Sequence, residues 1–247
     1  MSARHFELLR RPEIIVPEAA LRRRSISYGG TSPAVLTYIT SDRKGSTTGT
    51  HTYAASFGAA SSDRCIIVSL TSSQTTANPV TSVTIGGISA TRCAISWYYL
   101  NNLPVEIWIA QVPTGTSGNI AITSSAGGGW TSVIGVYAAT RLKSIVPVAT
   151  SVDQDFNGST WNKVVNTSVF VPAGGFAISA ARLGSGTYSS VAWTGATQDF
   201  ALAQVTASEG ALSGASLLAI ANTTANISTT FNAGTAIGLI GATVSFR

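Results

Sequence analysis

Charged side chains are scarce in this sequence. They make up 10% of its 247 residues, whereas an average domain contains about 25%. Serine, threonine, asparagine and glycine must therefore cover the surface, with little electrostatic repulsion to keep copies of the chain apart. A surface of this kind suits proteins that pack into ordered shells or fibres, although many secreted β-sandwich proteins have the same composition. We expect a homo-oligomer.

The positive charge is concentrated near the N-terminus. The formal net charge is +5, and six arginines against three glutamates in the first 24 residues account for +3 of it, which leaves +2 for the rest. A nucleic-acid-binding domain would carry a basic stripe with interleaved aromatic residues across its fold. The body of this chain has no such stripe, so we expect no nucleic-acid partner.

Long apolar runs are also missing. No run of about 18 apolar residues exists, so we expect no membrane span. The first residues, MSARHFELLRRPEII, carry charges where a secretory signal has its apolar core, and we expect synthesis and folding in a cytosol. In that compartment Cys65 and Cys93 are expected to be two buried thiols, with a disulfide as the alternative.

Few residues are candidates for catalysis. Of the two histidines, His5 lies near the N-terminus and His51 begins a predicted strand. A Ser-His-Asp triad needs a histidine held by a carboxylate, and the GxSxG turn is absent, so His51 is expected to be an exposed strand-edge residue. Glu106 alternates with apolar neighbours and is expected to face solvent, and no carboxylate spacing indicates a glycosidase pair. We expect no enzyme.

The sharpest local motif is a cluster of oxygen donors at alternating positions. Asp153, Asp155 and Asn157 precede Gly158, as at the start of a calcium-binding loop. The twelfth position is Val164, where a bidentate glutamate belongs. A polar surface loop with an Asx turn explains the pattern equally well, so we expect no cofactor and keep calcium as an open hypothesis.

Aromatic residues offer a second kind of site. Five tryptophans (Trp97, Trp108, Trp130, Trp161 and Trp193) and three tyrosines (Tyr98, Tyr99 and Tyr137) could line a platform for sugar rings. Trp97, Tyr98 and Tyr99 are consecutive, and side chains alternate across a strand, so they cannot all face inward. Packing in the core or between subunits is the favoured alternative.

Short strands separated by glycine, serine, asparagine and proline dominate the pattern. The predicted strands are Ala34–Thr40, His51–Phe57, Arg64–Thr71, Val80–Ile85, Ile88–Ile95, Val105–Val112, Ile120–Ser124, Val133–Ala138, Ile145–Ser151, Lys163–Val171, Gly175–Arg182, Ala201–Ala207, Ala215–Ala221, Ile227–Phe231 and Ala236–Phe246. Hairpins are expected within Val105–Ser125, at Gly86-Gly87 and at Pro172–Gly175. This spacing predicts an all-β fold, a jelly-roll-like two-sheet β-sandwich.

The domain organisation follows from the same pattern. Residues 31–247 form the sandwich, with a possible internal boundary near 141–144, and no sequence motif of the first half recurs in the second. Residues 1–30 are expected to form an extended N-terminal arm, which cannot bury enough apolar surface to fold alone and is held either by another subunit or by the body of its own chain. The arm residues expected to bind a partner are Arg4, Phe6, Leu9, Arg10, Arg11, Ile14, Ile15, Arg22, Arg23 and Arg24.

Several short segments of the body carry a family resemblance. They are Ser56–Arg64, Ser82–Thr91, Ile107–Ala110, Val112–Gly118, Val171–Gly175 and Trp193–Thr197. Their order resembles β-rich virion structural proteins of tailed bacteriophages and alphaproteobacterial prophages, over roughly residues 50–247. The resemblance implies a virion component assembled in the host cytoplasm and carries over no catalytic residue.

We therefore expect a non-enzymatic virion structural protein, a head-decoration or fibre-like component anchored to capsid or other virion proteins by its arm. The alternative is a carbohydrate-binding module that recognises a host-surface glycan from a phage tail or fibre. An exposed aromatic row beside Asn and Asp side chains would favour that alternative. A hydrolase of surface polysaccharide is the third and least favoured hypothesis.

Overall fold

The computed structural model describes residues 32–73, 80–98, 103–125, 129–156, 162–184, 188–203, 211–233 and 238–247. Every regular element in these ranges is a strand, as predicted. The described ranges contain no helix, and therefore none that is long and apolar enough to span a membrane. The strands are β1 Val35–Thr47, β2 Thr50–Ser56, β3 Cys65–Ser73, β4 Val80–Ile85, β5 Ile88–Ser89, β6 Thr91–Tyr98, β7 Leu103–Gln111, β8 Ser117–Ser124, β9 Trp130–Thr140, β10 Ala149–Asp155, β11 Asn162–Val171, β12 Phe176–Leu183, β13 Tyr188–Thr194, β14 Thr197–Leu202, β15 Ala211–Leu218, β16 Thr223–Ala233 and β17 Leu239–Phe246.

The strands form four antiparallel sheets, so the prediction of two sheets is wrong. The first inner sheet has the order β1-β9-β3-β7-β6 and the first outer sheet the order β2-β8-β4-β5. The second inner sheet has the order β10-β17-β12-β15-β14 and the second outer sheet the order β11-β16-β13. The chain passes from the first pair of sheets to the second between Thr140 and Ala149, where the predicted internal boundary lies.

The two halves repeat one strand order. Replacing β1, β9, β3, β7 and β6 by β10, β17, β12, β15 and β14 converts the first inner sheet into the second. The outer sheets correspond in the same way, with β2, β8 and β4 matching β11, β16 and β13. The sequence shows no repeated motif because strand order depends on the alternation of burial and on turn positions, which many residue choices satisfy.

The inner sheets pack against each other, and their central strands are buried on both faces. One apolar cluster joins them, with Ile67, Ile107 and Tyr137 on one side and Ile178 and Val244 on the other. Separate clusters fill the space between each inner sheet and its outer sheet. Strands β12 and β17 are therefore buried along their whole length, whereas the outer strand β2 alternates between exposed and buried residues.

Two predicted hairpins are instead connections between sheets. Strands β7 and β8 both exist, but β7 pairs with β3 and β6 while β8 pairs with β2 and β4. The Pro172–Gly175 turn likewise joins strands of different sheets. Alternation predicts the strands but not their partners, because two sheets of a sandwich present the same pattern. The hairpin at Gly86-Gly87 is confirmed, with positive φ at both glycines and Ile85 opposite Ile88.

Strand boundaries were predicted with uneven accuracy. Strand β4 matches its predicted range, and β10 lies four residues beyond the predicted start. Strand β13, Tyr188–Thr194, was not predicted, because its serines and exposed positions give a weak apolar alternation. The predicted Ile88–Ile95 strand is divided at Ala90 between two sheets.

The strands run between two ends of the body, which we call the base and the tip. The base holds Val35, Phe176 and Phe246, and the amide of Ala34 donates to the carbonyl of Gly174 there (2.8 Å). At the tip, Gln154 Nε2 donates to the Trp97 carbonyl (3.1 Å), across from one half to the other. Ser32, the first described residue, precedes Ala34 by two positions and therefore lies at the base.

Phe200 locks the two inner sheets together. Its ring stacks on Tyr38 at 5.6 Å between centroids. A Cβ added at Gly135 of one inner sheet or at Gly214 of the other would collide with the Phe200 ring. The ring therefore occupies the space that these two glycines leave, and any side chain at either position must displace it.

Alanine at Gly135 or Gly214 is expected to destabilise the body. Overpacking of a filled core costs about 1–3 kcal/mol, so the urea midpoint of Gly135→Ala and of Gly214→Ala should fall. Gly45→Ala is the matched control, because nothing lies within 4 Å of its added Cβ. An unchanged midpoint in both core variants would contradict the packing described for Phe200.

Candidate functional site

The arm residues assigned to partner binding, from Arg4 to Arg24, lie outside the described residues. The described part of the chain shows what surrounds their point of attachment. Exposed large apolar side chains gather at the base, at strand ends and in the connections there: Val35, Ile145, Val146, Val148, Phe170, Leu218 and Ile220. Ile220 is 98% exposed and Val146 is 68% exposed. Apolar side chains gathered at one end of a charge-poor body are typical of an interaction surface.

The connection between the halves is hydrogen-bonded to the connection between β2 and β3 beside this surface. Arg141 is the non-glycine residue with a positive φ (62°) among the described residues. Its amide donates to Asp63 Oδ2 (2.7 Å), and the Ser61 hydroxyl donates to the same carboxylate. These bonds, the Ser61 bond first, lower the pKa of Asp63. No sequence pattern predicts this contact, because it joins residues 78 positions apart.

A groove of about 180 Å³ opens between β1, β9 and the connection from β2 to β3. Its lining is Val35, Thr37, Ile39, Phe57, Gly58, Ala59, Arg64, Ala138 and Thr140. Arg64 is buried, and its five N–H donors are taken by the carbonyls of Gly58, Ala59, Val112, Thr114 and Gly115. The guanidinium therefore holds two connections together and leaves no donor for an anion.

His51 is buried, so the prediction of an exposed histidine is wrong. Its Nδ1 lies 2.6 Å from Ser132 Oγ and its Nε2 lies 2.8 Å from Thr47 Oγ1. The ring stacks on Trp130, and Tyr53 shares the Ser132 hydroxyl. Burial lowers the pKa of His51. Among the described residues, the side chains bonded to His51 and Ser132 include no carboxylate, and the network joins β1, β2 and β9.

Glu106 is also buried, against the prediction that it faces solvent. Its Oε2 accepts from Arg92 (3.3 Å) and from Trp108 Nε1 (3.0 Å), and Arg92 lies over the Trp108 ring. The backbone of Val80 also interacts with this carboxylate and favours its charged form. Burial raises the pKa of Glu106, and Arg92 offsets part of that rise. The prediction that Glu106 and Val105 lie on opposite faces of β7 follows from alternation. However, β7 belongs to an inner sheet, and both of its faces are covered.

Asp153 and Asp155 lie in strand β10, so the predicted polar loop is wrong over these two residues. Asp155 Oδ2 accepts from the amide of Val164 (2.9 Å), and Asp153 Oδ2 accepts from the amide of Asn166 (2.7 Å). The Ser151 hydroxyl accepts in the same way from the amide of Ser168 (3.1 Å). We call these three contacts the β10–β11 ladder.

The ladder gives the alternating oxygen donors a structural role. Every second side chain of β10 meets the amide of every second residue of β11, so the donors are spaced to match a strand edge. No group of three metal-ligating residues occurs in the described ranges. Asn157 lies outside those ranges, and calcium binding stays an untested hypothesis.

The described tryptophans are mostly packed. Trp108 and Trp130 are buried, Trp193 is half-buried and donates to Ser213 Oγ (2.9 Å), and Trp97 is 37% exposed at the tip. Trp161 and Tyr99 lie outside the described residues. The described tryptophans thus form no exposed row of the kind that a sugar platform needs.

Both cysteines are free thiols in the inner-sheet core. Burial raises the pKa of Cys65 to about 11 and that of Cys93 to about 12. Arg182 is a further buried ionisable group, whose guanidinium donates to the Ser72 carbonyl across the inner sheets. Burial lowers its pKa to about 9. Composition gives no signal for such a residue, because an arginine in a strand is ordinarily exposed.

Removing the ladder carboxylates is expected to loosen the second half. Asp153→Ala with Asp155→Ala should lower the free energy of unfolding by about 1–3 kcal/mol, since two amides lose charged acceptors. Asp153→Asn with Asp155→Asn is the matched control, because it keeps an acceptor oxygen and should lose less. Urea unfolding measures both, and equal losses in the two double variants would contradict the role given to the ladder.

Truncating Arg92 is expected to have a pH-dependent effect. Arg92→Ala leaves Glu106 buried without its cation, which should cost about 1–3 kcal/mol at pH 8 after allowance for the half-exposed arginine. The pKa of Glu106 is raised in the folded state, so protonation relieves the cost, and the loss should shrink as the pH falls towards 4.5. In a chain that already carries Glu106→Gln, the stability loss caused by Arg92→Ala should not depend on pH. If unfolding measurements still showed a pH-dependent loss, the pairing of Arg92 with Glu106 would be contradicted as its cause.

Comparison with family models, with curated proteins and with solved structures found no match to this chain. The resemblance to phage structural proteins therefore depends on the short motifs of the sequence alone.

Proposed function

We propose that this chain is a non-enzymatic structural protein of a bacteriophage particle, built into a head-decoration or fibre-like component. Its arm, residues 1–30, anchors it to capsid or other virion proteins, and its place is the virion, assembled in the host cytoplasm. The observation that carries this proposal is the base: the arm joins the body at the same end as the exposed apolar side chains, among them Val146 and Ile220.

Within the proposal, each half of the body is a jelly roll. The support is the strand order, in which the first, ninth, third and seventh strands lie side by side in one sheet, followed by the sixth strand at its edge, and the second, eighth, fourth and fifth form the other. That order is the one obtained by rolling a pair of Greek keys, the architecture of many viral capsid domains. The second half has the same order without a counterpart of β5.

The polar groups of the body support a structural role over a catalytic one. Arg64 bonds only to carbonyls, the His51 network lacks a carboxylate, and Asp153 and Asp155 bond to a neighbouring strand. In each case the group's hydrogen-bonding capacity is used inside the fold. The surfaces that remain for function are the base and the exposed sheet edges.

The attachment is tested by counting copies of the chain in purified phage particles by quantitative mass spectrometry. Replacing Arg22, Arg23 and Arg24 by alanine should lower the copy number severalfold, because charged hydrogen bonds to the particle are lost. Ile220→Asp should lower it as well, by placing a charge in the apolar base. Lys44→Ala, an exposed cation on β1, is the matched control.

Full occupancy by the arginine variant, or the absence of this chain from particles whose genome encodes it, would contradict the proposal. All variants should keep the unfolding midpoint of the natural chain, which separates attachment from folding.

A further inference from the structure

Each of the four sheets has two edge strands, and seven of the eight described edges carry a feature that blocks further pairing. An unblocked edge offers its amides and carbonyls to any strand, so proteins interrupt edges with bulges, charges or short strands. Strands β1, β6, β13 and β14 have register shifts against their partners. Strand β5 has two residues, and β10 carries Asp153 and Asp155.

The remaining pair of edges, β2 and β11, occupies the same position in the two halves. On β11 the amides of Val164, Asn166 and Ser168 point away from β16, and the β10–β11 ladder supplies an acceptor to each. The edge of the second outer sheet is thereby closed from within the chain.

Strand β2 carries none of these features within the described residues. Its pairing with β8 is regular from Thr50 to Ser56, without a register shift. The amide of Phe57 donates to the Thr116 carbonyl, and the amide of Gly86 donates to the Asn119 carbonyl. These two bonds determine which residues of β8 bond to β2 and which bond to β4. Antiparallel pairs alternate, so β2 bonds to β8 through residues 51, 53 and 55 and directs the backbone groups of Thr52 and Ala54 outward.

The side chains on the solvent-exposed face of β2 also allow another strand to come close. Thr50, Thr52, Ala54 and Ser56 are exposed, small and uncharged, while His51 and Tyr53 face inward and are buried. A strand laid against this edge would meet neither a charge nor a proline of β2. The chain thus closes one of two equivalent edges and leaves the other ready for pairing.

We propose that a second copy of this chain adds its own β2 to this edge, antiparallel and across a two-fold axis. A two-fold axis brings identical edges together. In the proposed register, Thr52 of one copy lies opposite Ala54 of the other, so that the amide of each residue donates to the carbonyl of its partner. The two outer sheets become one continuous sheet. The absence of charge on β2 removes the repulsion that ordinarily opposes pairing of like edges. The inference depends on the sheet edges alone, and the anchoring function can fail without affecting it.

Sedimentation velocity tests the pairing with the full chain. The natural chain is expected at the mass of a dimer at about 100 µM, a concentration that reveals weak association. Ala54→Pro, which removes an outward amide, and Ala54→Lys, which places a charge on the edge, should both sediment at half that mass. Asn119→Lys is the matched control, because it adds the same charge to the exposed face of β8, next to β2, and should remain dimeric.

Hydrogen exchange identifies the surface. The amides of Thr52 and Ala54 should exchange at least about tenfold more slowly at high than at low protein concentration, and the Thr52 amide should lose that protection in Ala54→Lys. The amides of Val164 and Asn166 should stay protected at every concentration. A monomeric natural chain, a dimeric Ala54→Pro, or a dimer with concentration-independent exchange at Thr52 would each overturn the proposal.

Discussion

The contact between the two inner sheets is the constraint on which the rest of the body depends. Phe200 stands between two glycines, Gly135 and Gly214, one from each sheet, and stacks on Tyr38. Because this contact covers the face of each inner sheet that its own outer sheet leaves open, β12 and β17 are buried along their whole length. In either half alone that apolar face would be exposed to water, so each half depends on the other to bury it.

In a chain with few charges, the polar groups of the body mainly stabilise its own architecture. Arg64 gathers five carbonyls from two connections, and the β10–β11 ladder gives acceptors to a strand edge. Between the second inner and outer sheets, Thr243 bonds to the hydroxyls of Thr167 and Ser179. Hydrogen bonds to neighbouring groups offset the free energy that burial of these polar groups costs.

The two ends and the two outer edges of the body differ in what they expose. The base carries apolar side chains beside the attachment point of the arm, and the β2 edge carries unblocked backbone groups. The proposed attachment uses the first of these surfaces and the proposed pairing uses the second. Both are consistent with the low charge of the chain, because neither attachment nor pairing is opposed by strong repulsion between copies.

The sequence alone determined the all-β class, the existence of most strands and the Gly86-Gly87 hairpin, because alternation and glycine conformation are local properties. It could not determine strand partners: β7 and β8 are adjacent in sequence yet belong to different sheets, and four sheets replaced the expected two. It also misplaced Glu106 and His51, since alternation identifies a face of a strand but not what covers that face. The roles of Asp153 and Asp155 followed only from tertiary structure, which brought β11 alongside β10 and turned a motif typical of metal loops into acceptors for backbone amides.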